Sequence, residues 1–270
     1  MTALLRSEWT KLWSVRFAAW CTAVFVLVVC ASGWLAAAGT QTSPRPELAV
    51  ETALTGFGFG QLVLVVLGVL AVTSEFGTGS ALATFTAVPR RTRLLVAKTL
   101  VLAATVAVLS GALGLLCAFA AGRLTEVPGG VSLLGRPVLQ VVGLQIAAAT
   151  LITVLALAVG TVLRSSAGGV GVGMGLVFFV PLLVALAPER VAELARVMPA
   201  LRVGRDTFLA EATSWQVGTA VTAAWAAGAW VLAVVVLERR DVQPSGRRRT
   251  CVPWSWSSSR SAPRRLDPLC

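Results

Sequence analysis

Six long apolar runs, separated by short gaps that carry the charge, set the plan of this chain. Read outward from their centres, they predict helices near Phe17–Ala38, Leu54–Thr73, Thr99–Ala121, Val138–Val162, Gly168–Ala187 and Gln216–Leu237. Each has about 20 residues or more, enough at ~1.5 Å per residue to cross a ~30 Å hydrocarbon core. The expected class is all-α, a polytopic membrane protein with six transmembrane helices. A cleaved leader fits the first run poorly. It ends in Ala36-Ala37-Ala38-Gly39, but its 22 residues exceed the ~7–15 residues of a signal core.

Ahead of the first run, Leu5, Trp9, Leu12 and Trp13 recur at i, i+4, i+7 and i+8, with Arg6, Ser7, Thr10, Lys11 and Ser14 opposite. That stripe predicts an amphipathic helix in the membrane interface over residues 1–16, with both indoles at headgroup depth. A simple extension of the first span is the alternative, and the polar stripe argues against it. Of the other gaps, Gly39–Ala53, with Pro44 and Pro46, and Gly122–Pro137, with Pro128-Gly129-Gly130, read as irregular loops. Pro188–Trp215 places Arg190, Glu193 and Arg196 at i, i+3 and i+6, and Val191, Leu194 and Met198 on another face. A short surface helix ended by Pro199 is expected there.

Charge then orients the bundle. The N-terminus, the second and fourth gaps and the C-terminal tail hold 16 Lys/Arg and 5 Asp/Glu, whereas the other three gaps hold 7 of each. The whole net charge of +11 therefore falls on one side. Basic residues are retained in the cytoplasm, so both termini are expected inside a cell membrane. Because the basic residues border apolar helices and no soluble domain remains, anionic lipid headgroups, not nucleic acid, are the expected counter-charge.

The chain contains no His and no Tyr. That excludes His triads, His-ligated haem, HExxH zinc sites and the usual neutral-pH general base. Cys21, Cys30 and Cys117 lie in apolar runs and Cys251 and Cys270 in the tail, with no metal-ligand spacing. No charged residue lies centrally in a predicted span, which leaves an intramembrane protease or lipid-modifying enzyme without its nucleophile or paired acids. Gln61, Gln140, Gln145, Thr150 and Thr153 are the polar candidates to line a pathway, although interhelical hydrogen bonds are their commoner role. In the fifth run, Gly169/Gly173 and Gly171/Gly175 form two overlapping GxxxG pairs, suited either to packing within one chain or to a dimer. Pro181 predicts a kink in the same run.

The most specific local signal is the second gap. Glu75 stands at the mouth of the second span, and Gly77 and Gly79 are expected to break its helix. Leu82 and Phe85 share one face of a short helix that Pro89 ends, and Arg90, Arg91, Arg93 and Lys98 lead into the third span. Glu75 is placed to cap freed backbone donors or to pair with Arg90, Arg91 or Arg93. Two readings fit: a handle for a cytoplasmic partner, or an ordinary positive-inside loop.

The Glu75-x-Gly77-Thr78 turn, the Val88-Pro89-x-x-x-Arg93 step and Ala97-Lys98 resemble the permease subunits of type-2 ABC exporters. Leu5-x-Ser7-Glu8-x-x-Lys11 and Trp13-Ser14-Val15-Arg16 are similar to actinobacterial members of that family. The resemblance covers about Leu4–Asp241, with residues 17–241 as the permease domain. The remainder, 242–270, is a basic Ser/Pro/Arg-rich tail expected to lack fixed structure. The resemblance implies an interfacial helix over Leu4–Arg16 and a coupling helix over about Gly77–Thr86 that docks on a separate ATP-binding subunit. It also implies two permease copies, or two similar permeases, forming the pathway. No GxxxxGK[ST] motif occurs, so ATP and Mg would be held by the partner, and this chain is expected neither to be an enzyme nor to carry a cofactor. A non-ABC channel or scaffold is the competing function. An amphiphilic or hydrophobic cargo is expected, since no charged cavity is foreseen.

Overall fold

The computed structural model describes residues 2–39, 43, 46–78, 91–126, 130–179, 183 and 215–239. Within them the chain is helical: α1 Thr2–Ser14, α2 Arg16–Gly39, α3 Pro46–Ala53, α4 Gly56–Thr78, α5 Arg91–Leu124, α6 Arg136–Leu163, α7 Ser166–Met174 and α8 Trp215–Arg239. Among the described residues five helices are long and apolar enough to cross a membrane: Arg16–Gly39, Gly56–Phe76, Thr92–Leu124, Arg136–Leu163 and Gln216–Arg239. The chain thus has the build of a multi-pass membrane protein. Of the fifth predicted span, Gly168–Ala187, the described part is α7 and a π-helical turn, Gly175–Phe179, that continues it. The kink expected at Pro181 lies outside the described residues.

The helices α4 and α6 form the centre. Of their apolar windows, 61% and 56% are buried, against 22% for α2 and α8. Close backbone approach makes this possible. A Cβ on Gly68 of α4 would lie 2.7 Å from the Thr153 carbonyl of α6, and one on Gly160 would lie 3.1 Å from Val69. With lipid outside, such packing drives helix association more than exclusion of water does. On the flank, Phe25 of α2 meets Phe57 of α4 edge-on, centroids 5.8 Å apart, a geometry worth ~0.5–1.5 kcal/mol beyond area burial.

The helix α5 has 34 residues, about 50 Å at 1.5 Å per residue, well beyond a ~30 Å core. Arg91, Arg93 and Lys98 occupy its first turns and Arg123 its last, so the charged ends straddle an apolar middle.

The structure corrects one expectation. The gap Gly39–Ala53 is not wholly irregular, because Pro46 opens helix α3 at a position that needs no N–H donor. The described part of helix α4 ends at Thr78, between Gly77 and Gly79, the two residues expected to break it, and Gly79 lies outside the described residues. Its last turn is held from two sides, by Glu75 against Lys98 and by Phe76 beneath the Arg164 guanidinium at 5.4 Å. Leu5, Trp9, Leu12 and Trp13 lie within one arc of α1, as their spacing predicts, and divide inside it. Leu12 packs against the core, while Trp9 and Trp13 turn away at 48% and 51% exposure.

Candidate functional site

Helix α1 supplies two residues of a charge cluster, Glu8 and Lys11, one helical turn apart. Glu8 falls on the inward stripe of α1 with Leu12, and its side chain is only 2% exposed. Opposite stand Glu75, from the last turns of α4, and Lys98, from the first turns of α5. The Lys98 ammonium lies 2.8 Å from Glu8 Oε2 and 2.9 Å from Glu75 Oε1. Lys11 Nζ lies 3.1 Å from Glu8 Oε1 and 3.7 Å from Glu75 Oε1. Two carboxylates and two ammonium groups thus form a neutral quartet that joins three helices.

Burial grades the quartet from inside to outside. Glu8, Lys98 and Glu75 side chains are 2%, 12% and 18% exposed, whereas Lys11 is 42% exposed. Burial by itself would raise the Glu8 carboxyl, but attraction and hydrogen bonding from Lys98, then Lys11, outweigh it and hold Glu8 below the ordinary carboxylate range. Glu8 therefore remains ionised at neutral pH. A partly buried, fully paired cluster of this kind fixes geometry more than it adds stability, because desolvation offsets much of the Coulomb attraction.

Beside the quartet lies a cavity of about 300 Å³. Leu12 and Phe17 line it on the α1–α2 side, Ala71 on α4, and Val101 and Leu102 on α5. An apolar chamber with one charged wall is the result.

The far side of the α4 end is also tied down. After α6, Arg164 takes a left-handed conformation at φ 52° and donates its N–H to the Gly160 carbonyl at 2.9 Å. Ser165 caps α7 by accepting from Gly168 N at 3.3 Å. Ser166 Oγ donates to Thr73 Oγ1 at 2.9 Å, and Thr73 itself bonds the Val69 carbonyl at 3.0 Å. The end of α4 is therefore the meeting point of α1, α5 and the α6–α7 corner.

The sequence-predicted residues divide on this frame. Glu75 and Lys98 come together in the quartet. Gly77 and Thr78 form the end of α4, and Arg91 and Arg93 belong to the start of α5, with Arg93 exposed. Leu82, Phe85, Pro89 and Arg90, with most of the expected coupling helix, lie outside the described residues, as does the expected surface helix before Trp215. The tail 242–270 lies outside them too.

The two glycine pairs of α7 separate. A Cβ on Gly169 would lie 2.7 Å from Val69 Cγ1, and one on Gly173 would lie 2.8 Å from Val65 Cγ1, so this pair packs on α4 within the chain. Among the described residues, nothing lies within 4 Å of a Cβ on Gly171 or Gly175. The five polar candidates differ in their surroundings. Gln140 is exposed, Gln61 half-buried and Gln145 buried among helices. Thr150 and Thr153 return their hydroxyls to Ile146 and Ala149 carbonyls at 2.8 and 2.7 Å.

Glu8 was the functional candidate that the apolar stripe of α1 concealed. Its signal was present in Glu8 and Lys11 at i, i+3, with an unmatched acid and base at the facing ends of the second and third spans. No protein-family model matches the chain, and no curated protein matches it.

Proposed function

We propose that this chain is the membrane-spanning subunit of an ATP-driven exporter of the type-2 ABC kind, with ATP bound and hydrolysed by a separate protein. In this reading six spans place both termini in the cytoplasm, and two such subunits enclose the path of an amphiphilic cargo. The partner docks on the segment between α4 and α5, residues 79–90.

The observation that supports it best is the quartet of Glu8, Lys11, Glu75 and Lys98. Glu75 and Lys98 stand on the two helices that flank that segment, only 23 positions apart in the chain. Both are clamped to the same interfacial helix. A force applied to the segment would reach α1, α4 and α5 together instead of bending one loop. Such a rigid junction is what conversion of ATPase movement into a change of the bundle requires.

The test replaces Leu82 and Phe85 with Asp and reads membrane insertion, copurification with a P-loop ATPase, and export separately. Normal insertion with lost copurification and lost export is expected. If copurification and export both persist, the segment is a positive-inside loop and the transport reading fails.

A further inference from the structure

The quartet is neutral as a unit, yet the surface around it is not. Its acids are covered, whereas exposed basic residues stand close along the chain to its members and to the cavity lining: Arg16 next to Phe17, and Arg93 one and a half turns before Lys98. Lys11, at 42% exposure, is the quartet member that meets the outside. An ammonium has three donors. Among the described residues Lys11 hydrogen-bonds Glu8 at 3.1 Å and only approaches Glu75, at 3.7 Å. A donor remains for an acceptor arriving from outside.

Behind Lys11 the chamber is apolar. Its volume of about 300 Å³ would hold about ten groups of water size, at ~30 Å³ each. A single bridging water would leave most of it empty, and its Ala71, Val101 and Leu102 walls offer water few partners. Apolar depth with a basic rim, at the end of two membrane-length helices, matches the two halves of a membrane amphiphile.

We propose that this cavity is a lipid site, which takes part of one acyl chain of an anionic phospholipid and seats its phosphate against Lys11. Glu8 and Glu75 present no net negative charge to the phosphate, because the two ammonium groups of the quartet match them and Lys98 lies within 2.9 Å of both. A choline headgroup would offer the same phosphate, but it also presents a cation to the basic rim, so an anionic lipid is preferred. The inference rests on the membrane position of α4 and α5 and not on the transport reading.

Delipidated full-length protein in detergent, titrated with phosphatidylglycerol or with phosphatidylcholine of the same chains, tests this by native mass spectrometry. One phosphatidylglycerol should bind about fivefold or more tightly than phosphatidylcholine, the scale of one basic contact at a membrane surface. Ala71→Phe, or Val101→Phe from the other wall, should remove that bound lipid. Lys11→Gln should keep a lipid but lose the headgroup preference. Circular dichroism identifies a filling variant that has misfolded, in which case the wild-type comparison and Lys11→Gln decide. Equal affinity for the two lipids, or an undiminished preference in a folded filling variant, would overturn the proposal. So would complete displacement by millimolar glycerol phosphate, which would make this a phosphate site with no role for the chain.

Discussion

Lys98→Met removes the ammonium that holds both Glu8 and Glu75 within 2.9 Å and leaves Lys11, 42% exposed, as the quartet's base. At an effective dielectric of ~20, each lost contact is about 6 kcal/mol of attraction before desolvation. Most of that is offset by the cost of burying the ammonium. Removal of one partner from a buried cluster nets ~3–5 kcal/mol, and partial screening of Lys11 places this site near the lower end. Loss of about 3 kcal/mol from the docking of α1 corresponds to roughly 100-fold more frequent undocking. Hydrogen exchange in lipid nanodiscs reads it directly: amides of residues 2–14 should exchange about 100-fold faster, while the centre of α6 is unchanged. The pH dependence has a definite sign. In the native protein the Glu8 carboxyl is depressed, so its contribution is full above the ordinary carboxylate range and is lost as pH falls through its folded value. Without Lys98 the strongest downward pull on the carboxyl is gone while burial remains, so it rises from its native value and the defect should be larger at pH 8 than at pH 5. Glu8→Gln combined with Lys98→Met should recover part of the loss. Exchange in residues 2–14 within threefold of wild type would mean that solvent screens the quartet and that packing alone holds α1.

Gly68→Ala should destabilise the α4–α6 contact by ~1–3 kcal/mol, because its Cβ would meet the Thr153 carbonyl at 2.7 Å. Gly143→Ala, whose Cβ meets nothing within 4 Å among the described residues, should change thermal unfolding little. Replacement of Gly171 and Gly175 with Leu should weaken self-association, measured by crosslinking in membranes, while leaving the monomer folded. Gly169→Leu should instead disturb the fold through Val69. Reporters fused at Pro128 and at Pro188 should both register the outer side, and cytoplasmic activity at either site would reverse the topology.

Apolar run length made the spanning helices legible, because membrane thickness fixes how many residues each must contain. Their ends were less legible. The last turns of α4 are held by Lys98 against Glu75 and by Arg164 over Phe76, both distant in sequence, and the sequence by itself carries no record of that. Pro46 was read as a breaker of structure when it begins α3, since the same missing donor serves both roles. In α1 the stripe of Leu5, Trp9, Leu12 and Trp13 was legible, but the inward place of Glu8 was not, because Lys98, which holds it there, comes from a helix distant in sequence. The basic residues around the second gap were visible as a group. Which of them meets an acid depended on the fold.

The most direct test of the account is a photo-crosslinking residue placed at Phe85, with one at the exposed Val24 of α2 as control, in cells that express the full chain. The account predicts a covalent adduct with a P-loop ATPase from Phe85 and none from Val24. Adducts with lipid alone at both positions would contradict the docking of an ATPase on this segment and, with it, the exporter reading.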